Sequence, residues 1–190
     1  MVIYVIGFIG SDRMAVARAV SEQHNVPLYD LAAEIEERDG RTIRRMVITM
    51  GEHELRNKEY ETLTAILREL GEPASPSEIA AGTATEIAAG AAACGYSAVI
   101  CCTDDLILDP MSADLVRAGE VIIADDSATA GNPEVATARL DTMFERAVTL
   151  APDDQSLHYA FLLDPDKAAA KEKFMKLYEQ RRPLYESFRK

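Results

Sequence analysis

The sequence predicts an α/β fold in three layers, a mostly parallel sheet between helices, and three observations carry that reading. Residues 2–6 form a continuous apolar, largely β-branched run that ends at Gly7, the pattern of a strand buried on both faces. Short runs of the same kind recur at 26–30, 98–102 and 120–124, and helix-periodic stretches separate them. The chain has 190 residues, 48% of them hydrophobic, which suits one domain, 1–190, with a proper core.

Taken in order, the strand at 2–6 leads into a helix over 13–23 whose apolar face is Met14, Ala17 and Val20. A second strand at 26–30 is introduced by Pro27, and the helix over 31–38 stops at Asp39-Gly40. Thr42 is placed to cap a short helix to about 49, and a long helix runs over about 52–70. Residues 71–75 break the pattern. Ser75, Pro76 and Glu78 restart it as N-cap, first helical residue and capping-box acid. The Ala-rich helix that follows, over about 76–94, is read as an extra element lying on the sheet or as a dimer surface. The third strand at 98–102, a helix over 111–118 and the fourth strand at 120–124 come next. Asn132-Pro133 opens a helix to about 147, and 150–155 is an acidic loop. The apolar stretch 157–163 is a candidate edge strand. Asp164-Pro165 then caps a Lys-rich helix reaching Gln180, with 182–188 closing the chain.

Thirty-two acidic residues against 20 Lys and Arg give a net charge of -12, which repels nucleic acid and anionic lipid. No apolar run reaches membrane-spanning length, and the opening run is too short and lacks the basic flank of a signal peptide, so a cytoplasmic protein is expected. Cys94, Cys101 and Cys102 lack metal-ligand spacing, and the last two are expected as buried thiols. The histidines are dispersed and suggest no site.

A strand, a Gly-rich turn and a helix can cradle phosphate on backbone N–H groups, and the full pattern is Gly-x-x-x-x-Gly-Lys-Ser/Thr. Here Gly7 begins the loop, Gly10 and Ser11 lie inside it, and Asp12, Arg13 and Met14 occupy the second Gly, Lys and hydroxyl positions. Asp12 sets a carboxylate where phosphate should approach. Arg13 is a bulky fork instead of a compact ammonium, and Met14 offers no oxygen to Mg²⁺.

The surrounding motifs resemble those of shikimate kinases. Residues 5–11 are similar to the family's opening, 26–38 to its second strand and following helix, 51–59 to its Gly-Glu-x-x-Phe-Arg-x-x-Glu segment, and 181–185 to its Arg-x-Pro-Leu-Tyr. The resemblance implies a P-loop, nucleoside-monophosphate-kinase-like fold, with ATP and Mg²⁺ used to phosphorylate the 3-hydroxyl of shikimate. It implies substrate roles for Arg56, Glu59 and Arg181 and a metal-side role for Asp30. The family's second acid in Asp-x-Asp is Ala32 here, and its Gly-Gly-Gly turn is Thr103-Asp104-Asp105. No Arg-Pro-Leu-Leu lid sequence follows Arg139, Arg146 being its nearest stand-in, and the family's last strand is missing or replaced by 157–163. Asp104 and Asp105 are expected as solvated loop acids that oppose ATP. The expectation is a non-catalytic or strongly impaired homologue in which Arg56 and Arg181 still grip a small carboxylate, unless Arg56 simply pairs with Glu59. The alternatives are a weak kinase using Arg13 in place of Lys, and a scaffold that forms a homodimer.

Overall fold

The computed structural model describes residues 1–82, 95–124, 133–154 and 156–189. Its centre is a parallel sheet of β1 (Val2–Ile6), β2 (Leu28–Asp30), β3 (Ala98–Cys101) and β4 (Glu120–Ile123) in the order β2-β3-β1-β4. Tyr4 of β1 sits level with Ile100 of β3 and Val121 of β4. Pairing of the second strand starts later than expected. Pro27 has no N–H to give, so only its carbonyl joins the ladder, accepting from Val99 N–H, and the chain is extended from Leu28.

Alternation along β1 sorts the core into two layers. Ile3 and Val5 face α1 (Arg13–His24) through Ala17, with Val99 and Cys101 beside them. Val2, Tyr4 and Ile6 point the other way into the larger cluster. That cluster is built on α2 (Leu31–Asp39), α3 (Ile43–Met50), α4 (Glu52–Glu69), α6 (Pro110–Ala118), α7 (Pro133–Leu150) and α8 (Lys167–Glu186). Several starts are set by caps legible in the sequence: Thr42 accepts from Arg45 N–H, and Ser75 accepts from Glu78 N–H at the head of α5 (Pro76–Ala81). Gly82, at φ 65°, ends α5, and the rest of the expected Ala-rich helix lies outside the described residues.

In the chain's last quarter one open reading is resolved and one expectation is corrected. Residues 157–163 form no edge strand; they end in a 3₁₀ turn, Ala160–Leu163. A seven-residue apolar run does not distinguish strand from irregular packing, and here Leu157, Tyr159 and Leu162 are buried at unequal spacing. Helix α8 is capped by Asp166 and continues through Pro183 to Glu186. The proline costs one N–H within the helix's last turns, and burial of Tyr185 and Phe188 holds the end in place.

Helix α8 fixes the loop after β1. Phe8 meets Phe174, Tyr178 and Tyr185 edge to face. The buried Tyr185 hydroxyl donates to the carbonyls of Gly7 (3.1 Å) and Asp104 (3.0 Å), joining the loops that follow β1 and β3. Gly10, at φ 76°, lies so close to α7 that a Cβ there would meet the Met143 carbonyl oxygen at 2.1 Å. Urea unfolding checks these contacts: Tyr185→Phe should cost about 1–2 kcal/mol through the stranded carbonyls. Gly10→Ala should cost more, about 3 kcal/mol, by adding overpacking to an unfavourable φ.

Candidate functional site

The strand order reverses at β1 and β3, and a cleft of about 520 Å³ opens at their carboxyl ends. Its wall combines the 10–14 loop, Asp30 at the end of β2, Glu59 of α4, the 101–105 turn, Arg146 of α7, Asp153, Asp154 and residues 156–158.

Arg13 does not reach into this cleft as a free cation. Its guanidinium folds back onto Asp104 in a close ion pair and lies 3.4 Å from the Gly7 carbonyl. Burial works against its charge, but the neighbouring Asp104 outweighs that and raises its pKa. Asp104 and Asp105, expected in solvent, are buried at 6% and 2% exposure. The correction has a plain cause: each carboxylate has an arginine that sequence separation concealed. Asp105 is 2.6 Å from Arg181 Nη1 of α8, accepts from the Tyr159 hydroxyl at 2.6 Å, and lies 3.5 Å from His158 Nε2. Burial pushes its carboxyl up, yet His158, Arg181 and Tyr159 together bring it down to about 2.

The arginines expected to grip a carboxylate are therefore placed differently from one another. Arg181 is committed to Asp105 and also donates to the Tyr159 hydroxyl at 2.8 Å. Arg56 is 3.5 Å from the exposed Glu52, not Glu59, and its Nε has no partner among the described residues. Glu59 is 1% exposed and accepts from the Thr103 hydroxyl, while its Oε2 has no partner among the described residues. Burial drives the Glu59 carboxyl up to about 8, more than the Thr103 hydrogen bond offsets, so it is largely protonated at neutral pH.

Asp30 caps α2 by accepting from Ala32 N–H at 3.1 Å. Among the described residues no three His, Cys, Asp or Glu side chains gather as metal ligands. Asp12 lies 3.6 Å from Arg146, whose Nη1 donates to the Gly10 carbonyl at 3.2 Å, so α7 reaches over the loop from outside. Met14 and Ser11 both border the cleft, and the Ser11 hydroxyl is buried without a partner among the described residues. Cys101 and Cys102 are buried free thiols, and burial raises Cys101 to about 11. Residues 156–159 are what sequence reasoning missed. The only signal was a histidine and a tyrosine set within an apolar run.

Known proteins share both sequence and fold with this chain. Residues 10–72 match the family model for shikimate kinase. The shikimate kinase of Aquifex aeolicus is 36% identical over 63 residues, 33% of this chain and 38% of that protein. The bifunctional shikimate kinase/3-dehydroquinate synthase of Thermotoga maritima is 34% identical over 67 residues, 35% of this chain and 14% of that protein. The matched stretch thus spans well under half of either relative. Among solved structures, shikimate kinase from Acinetobacter baumannii in complex with shikimate superposes with a TM-score of 0.65 at 18% identity, covering 98% of this chain and 79% of that one. Shikimate kinase from Bacteroides thetaiotaomicron gives 0.65 and 18%, covering 97% and 81%. No helix among the described residues is long and apolar enough to cross a membrane. Residues 10–72 thus carry a sequence match to shikimate kinases, and nearly the whole chain shares the α/β fold of their solved structures.

Proposed function

We propose that this chain is a shikimate kinase homologue that has lost efficient ATP-dependent phosphoryl transfer and retains a small-carboxylate site at Arg56. The observation that carries the reading is the buried Arg13–Asp104 pair, which occupies the cation standing at the phosphate-loop lysine position. Turning Arg13 toward a phosphate would strand a buried carboxylate, at a cost of about 3–5 kcal/mol. Met14 supplies no oxygen for Mg²⁺, and Asp12 opposes phosphate with the half-exposed Arg146 3.6 Å from it. These residues do not fit a magnesium nucleotide. Ala32 also leaves the substrate side without the acid that would orient an attacking hydroxyl.

Arg56 supports the carboxylate half of the reading. Its ion pair with Glu52 is long, and Glu52 is 58% exposed, so a bidentate carboxylate would bind better than the present partner. The Acinetobacter baumannii relative was solved in complex with shikimate, a molecule of that class.

Two experiments test the two halves. With shikimate, ATP and Mg²⁺, coupled ADP release should stay at background, and turnover above about 1 s⁻¹ overturns the loss of catalysis. Shikimate alone should raise the melting temperature, and Arg56→Ala should abolish that rise; an undiminished rise removes Arg56 from the site. The structural role of Arg13 is checked separately by unfolding. Arg13→Met should destabilise the chain by about 3–5 kcal/mol, and adding Asp104→Asn should recover part of the loss, whereas a ligand-binding arginine could be removed at little cost.

A further inference from the structure

The charges that line the cleft do not balance. Eight carboxyl side chains border it, against two guanidiniums and one imidazole. Both guanidiniums are engaged, Arg13 by Asp104 and Arg146 by Asp12. Asp105 has Arg181 from α8, and Tyr159 and His158 from the 156–163 strap, whose first three residues border the cleft. Other lining acids take backbone donors: Asp30 accepts from Ala32 N–H, Glu36 from Ile43 N–H (2.9 Å) and Asp154 from Ser156 N–H (2.9 Å). Such hydrogen bonds favour the ionised carboxylate without cancelling its charge. A cleft lined by one sign of charge concentrates ligands of the other.

An acidic lining alone would be a solvated surface, and Glu59 is what distinguishes this one. Its carboxyl is 1% exposed on the cleft wall, beside Thr103. The Thr103 hydroxyl donates to Oε1, while Oε2 has no partner among the described residues. Buried polar atoms are normally satisfied, so this oxygen calls for a donor, and the cleft is where one can come from.

We propose that the cleft binds a small organic molecule through a primary ammonium group, which donates to Glu59 Oε2 and lies in the field of the surrounding acids. The chemistry narrows the class. An anion would meet the excess of carboxylates, and the arginines that could offset them are taken by Asp104 and Asp12. A neutral hydroxyl could donate to Oε2 but gains nothing from the field. A hard metal ion wants six or more oxygens, and among the described residues no three His, Cys, Asp or Glu side chains gather to hold one. An ammonium needs one carboxylate in contact and is helped by the others at longer range. Its compact head suits a carboxyl set this deep, and about 520 Å³ leaves room for the rest of the molecule.

The ammonium takes Glu59 as a carboxylate. Burial holds this acid up to about 8, so at pH 7 it carries a proton until a cation beside it favours the ionised form. Binding at pH 7 therefore exchanges one ammonium for one proton, which passes to the buffer. None of this depends on Arg56 gripping a carboxylate or on the loss of phosphoryl transfer.

Isothermal titration of the full chain with n-butylammonium chloride, at pH 7 and fixed ionic strength, tests the site. A primary alkylammonium stays charged there, with a pKa near that of lysine, about 10.4. Tetramethylammonium chloride is the comparison, since it has the charge but no N–H donor. Butylammonium should bind at least tenfold more tightly. Its heats in phosphate and in MOPS, which differ in ionisation enthalpy, should report nearly one proton released per ligand. Glu59→Gln keeps the shape of the side chain and should weaken butylammonium at least tenfold and abolish the release. Equal binding of the two cations, or a proton release that persists in Glu59→Gln, overturns the site. If that variant does not fold, the two cations on the wild type still decide, and neither result depends on whether shikimate binds.

Discussion

Asp104 and Asp105 are adjacent carboxylates buried at the carboxyl end of β3, and their need for partners organises the surrounding structure. A buried charge is tolerated only when it is paired and hydrogen-bonded, so each acid draws in a cation from a different part of the chain. Asp104 takes Arg13 from the start of α1, and Asp105 takes Arg181 from α8 together with Tyr159 and His158 from the strap. Sheet, phosphate-type loop, C-terminal helix and strap thus meet at two residues. The Tyr185 hydroxyl reinforces the junction by bridging the Gly7 and Asp104 carbonyls.

This pairing changes the character of the cleft. A site for phosphate needs cations whose charge is available to a ligand, and two of the arginines nearest this cleft are already neutralised by its own floor. The loop keeps Gly10 pressed against α7, while the chemistry of Arg13 has turned inward. On the proposed reading, acids where the family has Gly-Gly-Gly and an arginine where it has lysine are one linked change. Asp104 would be intolerable without Arg13, and a lysine's single ammonium would serve both the carboxylate and the Gly7 carbonyl less well than a planar fork.

The sequence disclosed most of the architecture because the relevant signals are local. The β-branched run of 2–6, the caps Thr42 and Ser75, and the breaks at Asp39-Gly40 and 71–75 each specify an element from within a few residues. The parallel sheet followed from their alternation, and the resemblance to shikimate kinases followed from motifs in order. What could not be read was pairing over long separations. Asp104 and Asp105 look like solvated loop acids until Arg13 and Arg181, 91 and 76 positions away in sequence, are brought to them. The same limit hid His158 and Tyr159, which lie against Asp105. The open reading of 157–163 and the early stop placed before Pro183 share a cause, since in both places burial against the core decides what the local pattern does not.

The segment 156–163 shows why the remaining site is not a reduced copy of a kinase site. It packs as an irregular strap and not as the edge strand its apolar run left open, so backbone hydrogen bonds do not fasten its middle to the sheet. Side chains have to do it: Leu157, Tyr159 and Leu162 are buried in the main core, and the Tyr159 hydroxyl donates to Asp105. The cleft wall is thereby tied to the same carboxylate that holds α8 in place through Arg181.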